Sequence, residues 1–309
     1  MSHPIDRRTA LGAVAAAASL PLIGATPAAP SPSFVAMGDW GRGGNDHQRD
    51  VAVQMGRAMR DLDGRFVLAV GDNFYEAGVA DIADPQWRTS FEDVYTDPAL
   101  QRPWIVALGN HDYRGNPQAQ VDYTAQSRRW RMPARYFRAD HGIAGMDLFV
   151  IDTSPLVHSY REKVEAKIAA NVATQDVAAQ MAWLDQALAA STAPIKLVTG
   201  HHTLRSGGSS HGDTPELVST LLPILQRRGV LAYINGHDHD MQHIRRDGLD
   251  YICCGAGSQV RPVNPVEGTR FSLSRSGFAV ITPAGKGLTL AFRDYTGAEV
   301  YRTQIAPQA

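Results

Sequence analysis

Asp72 and Tyr75 put a carboxylate and a phenol three residues apart in Gly71-Asp72-Asn73-Phe74-Tyr75, directly after the apolar run Phe66-Val67-Leu68-Ala69-Val70. A carboxylate can bridge two metal ions and a phenolate can bind one strongly, so the stretch fits the midpoint of a two-metal site if partner ligands exist. Gly-Asp-Asn is also ordinary turn chemistry, and alone it reads first as a turn. Partners do occur along the chain. Asp39 follows Gly38, Asn110 follows Gly109, His201 follows Gly200, and His237 with His239 follow Gly236, each after an apolar run. One Gly-His after a strand is incidental, but five such turns in order make coincidence a poor explanation. Polar groups at the carboxyl ends of neighbouring strands converge on one crevice.

The runs that must position these groups alternate with helical spacing. Short strands are expected at 34–37, 66–70, 104–108, 147–151, 195–199 and 230–234. Between them, 45–62 has helical spacing at Val51, Met55, Ala58, Met59 and Leu62, and Trp87, Phe91 and Val94 suggest another helix. Residues 174–188 form a helix that packs through Val177, Met181, Trp183, Leu184 and Leu188. Thr214-Pro215 should cap and start one helix carrying Leu217, Leu221, Ile224 and Leu225, which Gly229 stops. The polar stretch 112–135 reads as a surface loop with one helical turn. Residues 154–171 have mixed charge and no strong apolar period, and are expected to be a mobile excursion. Past residue 249 the pattern is β-rich, at 251–254, 278–282, 288–293 and 300–305.

The chain has 309 residues and 33.5 kDa, with 30 Lys plus Arg against 31 Asp plus Glu. That balance argues against a nucleic-acid or anionic-membrane surface as the main business. The first thirty residues differ from the rest, with Arg7-Arg8, an apolar run from about Ala10 to Ile23, and a small-residue end through Pro30. That order is a secretory signal, too short for a comfortable membrane span. Asp6-Arg7-Arg8-Thr9-Ala10-Leu11 resembles a twin-arginine signal, although Ala10 stands where a bulkier apolar residue is usual. The expected division is a leader over 1–30 and a single domain over 31–309, exported to the periplasm or outside the cell. Cys253 and Cys254 are adjacent, cannot easily pair, and read as small buried strand residues.

The order and spelling of the turns resemble the metallophosphoesterase (calcineurin-like) superfamily, and within it the small, mammalian-like purple acid phosphatases. Gly71-Asp72-Asn73-Phe74-Tyr75 and Gly236-His237-Asp238-His239 are the most specific matches. The resemblance implies an α/β fold of four layers, α/β/β/α, in which two mixed sheets are flanked by helices. It implies a binuclear centre with Asp39, Tyr75 and His239 on a ferric ion, Asn110, His201 and His237 on a divalent ion (iron, zinc or manganese), and Asp72 bridging them. Most members of the superfamily carry a histidine ligand two residues after the first aspartate; here that position is Gly41. Tyr75 then replaces the lost ligand, and a hard phenolate favours trivalent iron.

The implied reaction is hydrolysis of phosphate monoesters, in small molecules or phosphoproteins, by attack of a metal-bound hydroxide. His111 matches the phosphate-contacting histidine of the family, with Asp112 expected to orient its ring. His211 matches a second active-site histidine, and one of the two is expected to be the general acid. His202 is expected at the rim, Arg205 as an exposed arginine, and His47, His158 and His243 as surface or satisfied histidines. Residues 154–171 fall where the mammalian-type enzymes have a protease-sensitive loop that restrains activity. Two alternatives remain at this stage: a phosphodiesterase or nucleotidase using two divalent ions, and a catalytically silent scaffold of the same fold. A scaffold would be expected to lose ligands, whereas all seven positions are filled.

Overall fold

The computed structural model describes Met1, residues 32–162 and residues 165–307; apart from Met1, the expected leader lies outside the described residues. The first half of the chain runs through β1 (Ser33–Met37), α1 (Gln48–Asp61), β2 (Gly64–Val70), β3 (Trp104–Ala107), α2 (Asn110–Tyr113), α3 (Pro117–Asp122), β4 (Trp130–Arg131), β5 (Phe137–Arg138) and β6 (Met146–Val150). The second half holds α4 (His158–Arg161), α5 (Ala166–Ala173), α6 (Val177–Ala190), β7 (Ile195–Thr199), α7 (Pro215–Thr220), α8 (Leu222–Arg227), β8 (Ala232–Asn235), β9 (Met241–Arg246), β10 (Leu249–Cys254), β11 (Thr269–Leu273), β12 (Gly277–Ala284), β13 (Gly287–Asp294) and β14 (Glu299–Ile305). They build two seven-stranded mixed sheets, ordered β14-β13-β12-β1-β2-β3-β4 and β11-β9-β10-β8-β7-β6-β5.

Strand alternation makes the layers. In β1, Phe34 and Ala36 enter the core between the sheets while Val35 and Met37 enter the core beneath α1. In β2, Phe66, Leu68 and Val70 point between the sheets and Val67 and Ala69 point away. The second sheet repeats this, with Leu197 and Ile234 facing the first sheet and Val198 and Tyr233 facing the helical core containing Leu184, Leu217 and Leu225. Because successive side chains point to opposite faces and both faces are covered, the strands read as continuous apolar runs. The result is the α/β/β/α sandwich that the resemblance implied.

Several local expectations need correction. The helix expected after Thr214 is two helices, α7 and α8, because Pro223 in Leu222-Pro223 lacks the N–H a continuous helix needs. Thr214 stands at the N-cap position without a side-chain cap bond. Trp87–Glu92 is a π-helical turn. The stretch after Asp112 is no plain surface loop, since Tyr113, Trp130 and Met132 are fully buried and α3 and β4 lie within it. Residues 154–171 hold α4 and most of α5, and Ile168, Ala169 and Val172 bury one face. Strands β9 and β11 are additional to the expected ones; β9 pairs antiparallel with both β10 and β11, giving the second sheet an antiparallel edge.

Candidate metal centre and its cleft

Each predicted ligand follows a central strand, and the turns bring them together. Asp39, Asp72 and His237 have φ of 60°, 49° and 71°, in the left-handed region that non-glycine residues rarely occupy. Such strain persists where surrounding structure over-determines it, and it clusters at functional sites. Gly41 explains part of the crowding. A Cβ there would lie 1.9 Å from the Asn73 carbonyl oxygen, so only glycine lets the two turns pass. The Tyr75 N–H then donates to the Gly41 carbonyl at 2.9 Å.

The two carboxylates share one design. Asp72 Oδ1 accepts from the His111 backbone N–H at 2.7 Å, leaving Oδ2 between the Tyr75 hydroxyl at 2.9 Å and His201 Nε2 at 3.4 Å. Asp39 Oδ2 accepts from the His237 N–H at 3.0 Å, leaving Oδ1 3.0 Å from the Tyr75 hydroxyl and 3.4 Å from His239 Nε2. His201 donates its Nδ1 hydrogen to the Val70 carbonyl at 3.0 Å, which presents Nε2, and that atom lies 3.2 Å from His237 Nδ1. One ring nitrogen fixed by a backbone carbonyl is the usual way of orienting a metal-binding imidazole.

These residues fit cations. The single Tyr75 hydrogen faces three acceptors, Asp39 Oδ1, Asp72 Oδ2 and His239 Nε2 at 3.1 Å, and can satisfy one. Among the described residues, Asn110 Oδ1 is buried without a hydrogen-bond partner, and so is His239 Nδ1. Asp39, Asp72 and His201 offer ligand atoms all within 4.8 Å of one another. Oxygen and nitrogen donors sharing one ion at bonds of about 2.0–2.2 Å stand at separations of this kind. Asp72 Oδ2 borders both the Tyr75 side and the His201 side.

The electrostatics agree. Burial, then the charges of Asp39 and Asp72, push the Tyr75 phenol well above its ordinary value, so a phenolate here needs a cation. Burial alone would raise Asp72, but the charge and hydrogen bond of His201, with His111, hold it far below the carboxylate range. Burial would likewise lower His201, yet Asp72 and Asp39 carry it up to about 9. Burial and then the neighbouring histidines push His237 well down.

An open cleft of about 450 Å³ borders the ligands, lined by Asn110, Arg114, Tyr160, His202, His211 and His237 among others. His211 stacks on His237 with ring centroids 3.8 Å apart, so the structure brings it to the site. His111 stands on the other side, its Nε2 4.0 Å from Asp72 Oδ2 and its ring 4.4 Å from that of Tyr75. Asp112 does not orient that ring. Its carboxylate is buried and accepts from the Gly109 and Asn73 N–H groups and from the Asn73 and Gln120 side chains. The His111 ring is held instead by its Nδ1 donation to the Glu76 carbonyl at 2.7 Å and by Arg114, whose Nη1 lies 3.0 Å from Nε2.

His202 is not at the rim either. It lies within the wall of the cleft, 1% exposed, its ring centroid 4.3 Å from that of His237 and 5.1 Å from that of His201. Thr153 Oγ1 accepts from the backbone N–H groups of His201 and His202, so its own hydrogen goes to His202 Nδ1 at 2.8 Å, and His202 Nε2 then donates to the Tyr160 hydroxyl at 3.1 Å. Arg205 is not a free exposed arginine, being clamped by Asp213 and Asp247 at 2.8 Å each. His47 and His158 lie away from the ligands and are exposed, and His243 is buried and satisfied by Asp250 and Tyr301. Cys253 and Cys254 are buried free thiols on β10. Sequence reasoning missed Thr153, Arg114, Glu76 and Arg261, which sit on loops with no common spacing.

The calcineurin-like phosphoesterase family profile matches residues 32–241. Purple acid phosphatase 4 of Arabidopsis thaliana is 37% identical over 291 residues, covering 89% of this chain and 84% of that protein. Tartrate-resistant acid phosphatase type 5 of Homo sapiens is 33% identical over 309 residues, covering 93% of each. Among solved structures, GAP50, the anchor in the inner membrane complex of Plasmodium, superposes with a TM-score of 0.77 at 25% identity, covering 91% of this chain and 90% of that one. The profile spans more than half of the chain and both relatives span nearly all of it, so the chain belongs to the calcineurin-like phosphoesterase family, in its purple acid phosphatase branch.

Proposed function

We propose that this binuclear-metal phosphatase holds its two cations with Asp39, Tyr75 and His239 on one side, Asn110, His201 and His237 on the other, and Asp72 between, and that it hydrolyses phosphate monoesters. The observation that carries the assignment is Asp72 Oδ2, which lies 2.9 Å from the Tyr75 hydroxyl and 3.4 Å from His201 Nε2, while its other oxygen is occupied by the His111 N–H. The tyrosine side, with one phenol and one carboxylate of its own, is the harder donor set and suits ferric iron; the opposite side, with two imidazoles and an amide, suits iron, zinc or manganese as a divalent ion. When bound, such a pair neutralises the phosphate, acidifies water and stabilises the leaving oxygen.

The chain's own residues supply the rest. His111 and His211 stand on opposite sides of the ligand cluster and border the space a phosphate would occupy. Glu76 and Arg114 fix the first ring, and stacking on His237 fixes the second. One of the two imidazoles donates the proton to the leaving alkoxide. Replacing each by Ala and comparing leaving groups of different pKa identifies it, because loss of the acid slows poor leaving groups selectively.

The test of the function is metal content measured alongside turnover of a chromogenic monoester and the matching diester. Two metals per chain with preferred turnover of the monoester supports the reading; preferred turnover of the diester, or no turnover with both metals present, overturns it. The leader over residues 1–30 is proposed as a twin-arginine export signal on the single domain 31–309, which would carry the enzyme out folded and loaded. Replacing Arg7-Arg8 by Lys-Lys should leave the protein in the cytoplasm. Among the described residues no helix is long and apolar enough to cross a membrane.

A further inference from the structure

Three arginines stand against Tyr75, His111 and His211, and they are not equivalent. Arg42 lies 3.8 Å over the Tyr75 ring and pairs with Glu76 at 2.8 Å. Arg114 lies against His111 and is held by Glu165 through two bonds of 2.7 and 2.8 Å. Arg261 has no carboxylate partner among the described residues. Its one side-chain contact there is donation from Nη1 to His211 Nε2 at 3.2 Å. That ring is the one stacked 3.8 Å from His237, so the guanidinium stands one imidazole away from a proposed ligand.

Its position is built by the backbone. The Arg261 N–H donates to the His239 carbonyl at 2.9 Å, tying it to the turn that carries two of the ligands. Beyond it, the Ser209 N–H donates to the Pro262 carbonyl at 3.0 Å, the Asn264 N–H donates to the Gly207 carbonyl at 2.9 Å, and Gly208 bridges Val263. This small ladder locks 261–264 onto the loop that presents His211. Arg261 is half-buried, its single side-chain hydrogen bond among the described residues is to a ring nitrogen, and a guanidinium has five donors in a planar fork suited to oxyanions.

We infer that Arg261 binds a second oxyanion, carried by the alcohol portion of the substrate, so that this chain favours phosphate monoesters whose leaving group itself bears a carboxylate or a phosphate. The inference rests on the phosphatase reading above. In it Arg261 is a specificity residue: the ligand cluster takes the phosphate that is cleaved, and the guanidinium beyond His211 takes the group that is not.

The test uses the metal-loaded enzyme and matched ligands. Calorimetric dissociation constants are measured for 4-carboxybenzylphosphonate, its 4-carbamoyl counterpart and the bisphosphonate that carries a second phosphonomethyl group, in the wild type, Arg261→Ala and Arg261→Lys. Wild type should bind an anionic ligand more tightly than the neutral carbamoyl one, and Arg261→Ala should cut that preference about ten-fold or more. Lys should restore part of it, since it keeps the charge and loses the fork. Whether the carboxylate or the second phosphonate shows the larger loss identifies the oxyanion. Equal weakening of all three ligands, or no weakening, overturns the inference. Hydrolysis of 4-carboxyphenyl phosphate and 4-carbamoylphenyl phosphate by wild type separates the two readings: if the esters are hydrolysed and the preference does not depend on Arg261, only this inference fails, whereas no hydrolysis of either ester overturns both. Arg261→Gln, whose backbone bonds are unchanged, provides a second variant should Arg261→Ala fold poorly.

Discussion

The backbone N–H of Tyr75 donates to the carbonyl of Gly41 at 2.9 Å. One contact thereby couples the tyrosine that enters the ligand cluster to the position where most of the superfamily has a histidine. The Asn73-Phe74 backbone runs across Gly41 so closely that no side chain fits, with an added Cβ 1.9 Å from the Asn73 oxygen and 2.8 Å from the Phe74 Cα. In this chain a side chain at position 41 and the present course of the Asn73-Phe74 backbone exclude one another sterically.

Gly41→Ala is therefore expected to be costly although alanine is small. The atoms it meets are backbone, which cannot swing away, so destabilisation of about 3 kcal/mol or more is expected. Urea unfolding measures it. A loss below about 1 kcal/mol would mean that the crossing relaxes easily and that glycine is not required there.

Asp152, which is not one of the proposed ligands, gives a pH prediction. Burial raises its carboxyl to about 6, against hydrogen bonding from Tyr113 and the charge of Arg135. The folded state therefore binds a proton more tightly than the unfolded chain, whose carboxyl titrates near 3.9. Stability from this group falls as pH rises through about 4 to 6, by on the order of 3 kcal/mol. Asp152→Asn should remove that slope, so the difference between wild type and variant in urea unfolding should grow over that window in favour of the variant. A pH-independent difference contradicts the assignment.

Glu165→Gln tests how the segment from α4 to α5 is held. Among the described residues, Glu165 bonds Arg114, Tyr160 bonds His202, the His158 N–H donates to Glu216 at 3.0 Å, and the Asn171 amide donates to the carbonyls of Tyr113 and Gly115 at 2.8 and 3.1 Å. Glu165 and Arg114 are partly exposed, so global stability should change by less than about 1 kcal/mol. Local opening should become easier, and trypsin should cut after Arg161 several-fold faster. An unchanged cleavage rate would mean that the Glu165 contact does not restrain the segment.

The convergence of the predicted ligands was legible because each follows an apolar strand and a glycine, a pattern that survives projection onto sequence. Asp39, Asp72, Tyr75, Asn110, His201, His237 and His239 fall where the strand ends put them. The groups that orient them were not legible. Thr153, Glu76 and Arg114 act from loops, and Asp112, though adjacent to His111, turns inward to satisfy the Gly109 and Asn73 N–H groups. His202 looked like a rim residue because nothing in the sequence places Tyr160 over it. Helix ends were lost for local reasons, as at Pro223, while 154–171 lacked a strong period because its helices are short and only α5 buries an apolar face.

The most direct test is the visible absorption spectrum with metal analysis, on wild type and on Tyr75→Phe. A tyrosinate on ferric iron gives a charge-transfer band. Wild type should contain iron and show that band, and Tyr75→Phe should lose it while keeping its fold, because Asp39, Asp72 and His239 remain. A colourless, iron-free wild type with full activity, or a band that persists in Tyr75→Phe, would contradict the placement of Tyr75 on the iron.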